Sequence, residues 1–260
     1  MERVGLLVLF QNPLPSKLIA KCAESLVRDF RELGFNEISQ VPSQIIDVSE
    51  EADTRPKRIS SELNGWVFKQ HVGEVVVEEL GIRDGIFGYV SAQYDRWTVM
   101  RERLNRILVP AIEVALDVAD AKALKLEYWD SFVFEDVWEN ACASKLLSAK
   151  QALVPDTAYD GPENWHSHIG WFERVCENRL LINQNFDAVN LRRESDDVEK
   201  KALNIYALTE QRFENWKLDS DNLWKTLDFL HDRSVQLFAA SINDAQRETI
   251  GIDENGAVNA

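Results

Sequence analysis

Asp84 and Gly85 constrain the fold more than any other pair in this chain. They lie in "GIRDG", between two strand-like runs, Glu74–Leu80 and Ile86–Tyr94, with a third such run, Trp66–Val72, just upstream. An Asp-Gly pair accepts the positive φ angles of a two-residue hairpin turn, and that turn joins antiparallel strands. The first half of the chain is therefore expected to be built on an antiparallel sheet.

The remaining elements follow from periodicity. Val4–Phe10 reads as a buried strand closed by the turn signal "QNPLP". Leu18, Cys22, Leu26, Phe30 and Leu33 recur at helical spacing, which predicts a helix over Ser16–Leu33 stopped by Gly34. Residues 49–62 are polar and charged and read as an exposed loop. Asp95 is a cap candidate for a second helix, Arg96–Leu116, with Trp97, Met100, Leu104, Ile107 and Leu108 on its apolar stripe. Pro110 is expected to kink that helix or end its first part. A strand over 123–134 and a short helix over 137–149 come next, then the Pro/Gly/Asp-rich stretch "VPDTAYDGPEN". Trp165–Cys176 and Arg179–Leu191 form a hairpin pattern. The charged connector "RRESDDVEKK" leads to a strand at Ala202–Phe213, and a final helix spans Asn222–Glu248.

Long helices separated by hairpins give an α+β class, a largely antiparallel sheet covered on one face by three long helices. The expected organisation is one α+β domain over residues 1–252, with sub-halves 1–150 and 151–252 that resemble each other as sheet-and-helix units. Residues 253–260 read as a flexible tail.

Composition removes several functions. The chain carries 44 acidic against 29 basic residues, a formal net charge of −15. Such a surface repels phosphate backbones and anionic lipids, so neither nucleic acid nor membrane is the expected partner. The longest apolar runs are a strand's length, short of a membrane span, and the N-terminal residues lack the pattern of a signal peptide. Three cysteines, Cys22, Cys142 and Cys176, show no paired spacing and fit reduced thiols in a cytoplasmic protein.

Two histidine motifs are the candidates for chemistry. His231 and Asp232 are adjacent in the final helix, as in the metal-binding pair of one class of phosphohydrolases. On a helical wheel set at Leu227, His231 lies at about 40°, inside the apolar arc, and Asp232 at about 140°, beyond its edge. His231 is therefore read as a core-facing histidine with a hydrogen-bonded ring. In "HSHIGWFE", His166 and His168 stand two residues apart in a strand, on one face and about 6.6 Å apart. Glu173 follows at the spacing of the first metal motif of cupins, but the downstream glycine and histidine of that motif are missing. His166, His168 and Glu173 are the weak metal candidates. No nucleophile elbow and no Gly-rich phosphate loop occurs. The eight tryptophans read mainly as bulky core residues.

The segments "YDRWTVMRERLNRIL" (94–108) and "LWKTLDFLHDRSVQLFAASIND" (223–244) resemble a sporadically distributed, uncharacterised prokaryotic family of about this length. In it a strand ending in Tyr precedes a Trp-containing helix, and the chain closes on a Leu-His-(x6)-Phe helix, here Leu230, His231 and Phe238. The resemblance brings no catalytic residues and no cofactor. Its patchy distribution implies genes that move horizontally, as defence and toxin–antitoxin accessory genes do. The leading expectation is thus a non-catalytic cytoplasmic protein that binds another protein, with self-association left open. The alternative is a metal- or small-ligand-dependent enzyme with a site near His166, His168 and Glu173.

Overall fold

The structure, a computed structural model, describes residues 3–46, 59–134, 143–148, 152–159, 164–175, 177–192, 199–214 and 217–253. Expectations about Cys142, Cys176, Trp138, Trp216 and residues 254–260 lie outside this set. Among the described residues, nine strands and five helices make the class α+β. In chain order they are β1 (Arg3–Phe10), α1 (Ser16–Asp29), β2 (Glu37–Ile46), β3 (Ile59–Val72), β4 (Val75–Arg83), β5 (Ile86–Ser91), α2 (Trp97–Ile107), α3 (Val109–Leu116) and β6 (Ala121–Val133). After them come β7 (Trp165–Val175), β8 (Asn178–Arg192), β9 (Glu199–Arg212), α4 (Ser220–Ser241) and α5 (Asp244–Ile250). The strands form one sheet in the order β2-β3-β4-β5-β1-β6-β9-β8-β7. The pairings β2–β3, β3–β4, β4–β5, β7–β8 and β8–β9 are all antiparallel.

The hairpin at Asp84-Gly85 forms as its sequence requires. Arg83 pairs with Ile86, and Gly85 sits at φ 73°. Glu37–Ile46 is a strand that periodicity leaves unassigned, because Pro42 interrupts it. The register shifts between Val41 and Pro42, and β2 ends the strand order. A proline that cannot donate to a ladder is tolerated at such a bulge on an edge strand. Of the loop expected over 49–62, residues 59–62 belong instead to β3, and residues 49–58 lie outside the described set.

Each helix expected to be long is shorter or broken. α1 stops at Asp29, not Leu33, because Gly34 at φ 91° reverses the chain. Phe35 N–H then bonds Phe30 O and Gly34 N–H bonds Arg31 O, closing the end in the manner of a glycine C-cap. The span 96–116 divides at Leu108, and Pro110 lies in the first turn of α3, where its missing N–H costs nothing. Asp95 does not cap α2; the cap position is Arg96, without a side-chain bond. The final helix divides after Ser241. Ile242 bridges to Leu147, and the Asn243 side chain accepts from Gln246 N–H at 3.0 Å to start α5. The helix expected over 137–149 shows, in its described part, a short 3-10 turn at Ala143–Lys145.

The described residues group into two compact units. One holds Leu6–Ala123 with Lys217–Ser220. Its core contains Phe10 edge-on to Phe87 at 5.0 Å and Phe35 against Phe68 at 5.8 Å, and α1 packs on α3, β3 and β4. Ile19, Cys22, Ala23 and Leu26 form the buried face of α1. Burial pushes the Cys22 thiol up to about 11, so it behaves as an inert apolar side chain.

The other unit holds Met1–Gly5, Leu124–Trp216 and Asp221–Ala260. In it α4 lies against β6, β8 and β9. Gln184 of β8 donates to Leu237 O and Ser241 Oγ, and Thr209 of β9 donates to Leu230 O. Leu223, Leu227, Leu230 and Leu237 are buried along α4, as the apolar arc predicts. Phe186, Leu203, Ile205, Leu146, Leu147 and Ile242 form the adjoining core cluster.

Among the described residues, no helix is long and apolar enough to cross a membrane.

Candidate functional site

Strand parity sorts the candidate residues. Side chains alternate between faces along a strand, and residues directly opposite in a ladder share a face. In β7 the odd-numbered positions Trp165, Ser167, Ile169, Trp171 and Glu173 are half-buried, while His166, His168 and Phe172 are exposed. Glu173 lies on the α4 side, where Arg233 of α4 donates to it at 2.6 Å and Trp171 Nε1 at 3.1 Å. Partial burial would raise its pKa, but the Trp171 and Arg233 hydrogen bonds outweigh that and hold the carboxyl below its usual value. Glu173 is thus a structural partner for Arg233.

His166 and His168 point the other way. Their ring centroids are 5.3 Å apart, and His168 Nε2 lies 2.9 Å from Asp187 Oδ1 of β8. The structure therefore brings the two histidines together with Asp187 and separates both from Glu173. The separation follows from counting: Glu173 comes five positions after His168, an odd number, so the two side chains point to opposite faces. Among the described residues, no group of three or more His, Cys, Asp and Glu side chains is placed to hold a metal.

His231 sits where the wheel places it. Its Nδ1 shares a 2.8 Å hydrogen bond with Tyr128 Oη of β6. Burial lowers its pKa to about 4, against a smaller upward pull from Asp228. Asp232 is exposed and its carboxyl is shifted upward by partial burial and by Asp228. The adjacent pair does not converge on one point.

The face of β6–β9 opposite α4 carries a set of side chains that the sequence analysis did not single out. Ladder register sets Asn185 opposite Tyr206 and His168, and Asp187 opposite Asn204 and His166. Asn183 follows on the same face, and Trp129 and Ser131 come from β6. All of these except the two histidines line an open cleft of about 620 Å³. Trp129 packs beside Tyr206 with centroids 5.2 Å apart, and the Arg3 guanidinium stands 5.0 Å over the Trp129 ring. Tyr206 Oη donates to Glu127 at 2.8 Å; burial, reinforced by Glu127, raises its pKa and keeps it protonated. Asn185 Oδ1 is shut off from solvent and accepts no hydrogen bond from the protein. A signal for this row existed in "NQNFD" (183–187), polar at every second residue. It was masked because Gln184, polar as well, faces α4.

Further along the same face, Phe172 of β7 is 45% exposed. The Arg179 guanidinium lies 4.1 Å from its ring centroid and that of Arg212 5.2 Å. β7 ends the strand order, so among the described residues no strand pairs with its outer edge.

No protein-family model, curated protein or solved structure matches this chain.

Proposed function

We propose that this is a non-catalytic protein that binds another protein through the outer edge of β7. The observation that carries the proposal is Phe172, an exposed aromatic ring beside two guanidinium groups on an end strand. Aromatic and arginine side chains are the usual energetic centres of protein interfaces. A long end strand without Pro or Lys offers unpaired backbone groups to an incoming strand, the strand-addition mode of recognition. β7 carries Trp165, Ile169, Trp171 and Phe172, and its charged residues, Glu173 and Arg174, stand only near its end.

The setting suggested by the sequence resemblance is an accessory or immunity role in a prokaryotic defence or toxin–antitoxin system, in the cytoplasm. Within the unit that holds β6–β9, α4 lies on one face of the strands and Phe172 stands on the other. An enzyme centred on His166, His168 and Glu173 gains no support, since the carboxylate and the imidazoles lie on opposite faces.

The test is affinity purification of the full chain from its native host. The wild type should recover one stoichiometric protein partner, and Phe172→Asp or Arg179→Ala should lose it while melting at an unchanged temperature. Recovery of the chain alone, or equal recovery of the partner by both variants, would overturn the proposal.

A further inference from the structure

We propose that the cleft over β6, β9 and β8 is a saccharide site that takes a short neutral oligosaccharide. It is independent of the β7 edge, and it rests on what the cleft offers and what it refuses.

The cleft refuses anions. Among the described residues its lining includes the Asp187 carboxylate and no Lys, Arg or His side chain, in a chain of net charge −15. A phosphate, sulfate or carboxylate ligand would meet the Asp187 carboxylate within the lining, while the Arg3 guanidinium lies over the Trp129 ring. It also refuses a largely apolar ligand, because Asn183, Asn204 and Ser131 would lose water and gain no partner from such a ligand.

What it offers is a fixed grid of acceptors and donors beside an aromatic wall. Asn185 Oδ1 has no hydrogen-bond partner within the protein, and a small turn of the side chain would present it to a hydroxyl in the cleft. The carboxamides each present one acceptor oxygen and a two-hydrogen donor, so Asn183, Asn185 and Asn204 can satisfy hydroxyl groups that both give and accept. They sit on paired strands, which hold them at ladder spacing without ordering a loop on binding. Trp129 and Tyr206 stand at one side of that grid, where the C–H face of a pyranose can pack while its rim of hydroxyls reaches the amides. At about 620 Å³ the space suits a small ligand rather than a folded partner.

The experiment is ligand-observed saturation-transfer NMR followed by calorimetry on the full chain. The probes are neutral trisaccharides of glucose, mannose, galactose and N-acetylglucosamine. A sulfated trisaccharide, adenosine and a Lys/Arg-rich peptide serve as comparators. At least one neutral trisaccharide should bind. Asn185→Ala and Tyr206→Ala should each weaken it by about tenfold, the loss expected for one well-made hydrogen bond or ring contact. Asn204→Ala gives a third reading should either variant fold poorly, and Phe172→Asp should leave saccharide binding unchanged while abolishing capture of the protein partner. Saturation transfer from none of the neutral sugars, tighter binding of a comparator, or affinity that survives all three cleft variants would overturn the proposal.

Discussion

His231 shows how one buried side chain sets a pH response. Its ring is packed under α4 against Tyr128 of β6, and burial favours the neutral form, lowering its pKa from 6.5 to about 4. The unfolded chain then takes up a proton more readily than the folded one between those values. Stability from this group is complete above pH 6.5 and is lost as pH falls toward 4, in total on the order of 3 kcal/mol. His231→Gln should flatten that part of the curve. Denaturant titrations of both proteins between pH 7 and 4.5 give the measurement, and parallel curves would contradict the assignment. The paired carboxylates contribute their own acid sensitivity in both proteins, so the comparison isolates the imidazole.

At the scale of elements, the unit that contains α1–α3 is tied together by a charge rather than by apolar contact alone. Arg103 of α2 donates from Nε and Nη2 to both oxygens of Glu78 in β4, and from Nη1 to Leu33 O beyond the end of α1. Tyr89 of β5 donates to the same carboxylate at 2.7 Å, and the guanidinium lies 5.1 Å from the Phe35 ring centroid. Glu78 is 6% exposed, so removing its cation leaves a buried carboxylate with a single described phenol donor. Arg103→Ala should cost about 3 kcal/mol by urea unfolding, the low end for a broken buried pair because the guanidinium is partly wet. Arg103→Ala with Glu78→Gln should cost less than the sum of the two single changes, because the charge left behind has gone. Strict additivity would show that the pair carries little coupling.

Across the whole molecule, the excess of 15 negative charges acts at long range. Arg179 and Arg212 are the cations beside the exposed Phe172, yet Arg179 lies 3.9 Å from Glu214 and Arg212 hydrogen-bonds Glu210. The local positive field is therefore largely cancelled, and counterion release from a polyanion would gain little. The full chain should not retard duplex DNA at physiological salt in a gel-shift titration. Retardation that weakens steeply with added salt would show an unrecognised cationic surface.

By itself the sequence determined eight of the nine described strands, the hairpin at Asp84-Gly85, the acidic character and the inward face of the last helix. Each depends on neighbours a few residues apart, where periodicity of two or 3.6 is visible in one dimension. Helix ends were less legible. Gly34, Pro110 and Asn243 are all plain in the sequence, but whether a helix bends or stops there depends on what the next residues bond, as Ile242 does with Leu147. β2 escaped because Pro42 looks like a strand breaker until an edge position and a bulge accommodate it. Parity in the sequence already parted Glu173 from His168, yet Arg233 as the carboxylate's partner lies 60 residues away. The cleft was a matter for tertiary structure alone. Trp129, Asn185 and Asn204 are distant in the chain, and only the order β6-β9-β8 sets their side chains on one face. Long-range strand pairing decides which polar residues converge, and no local pattern encodes it.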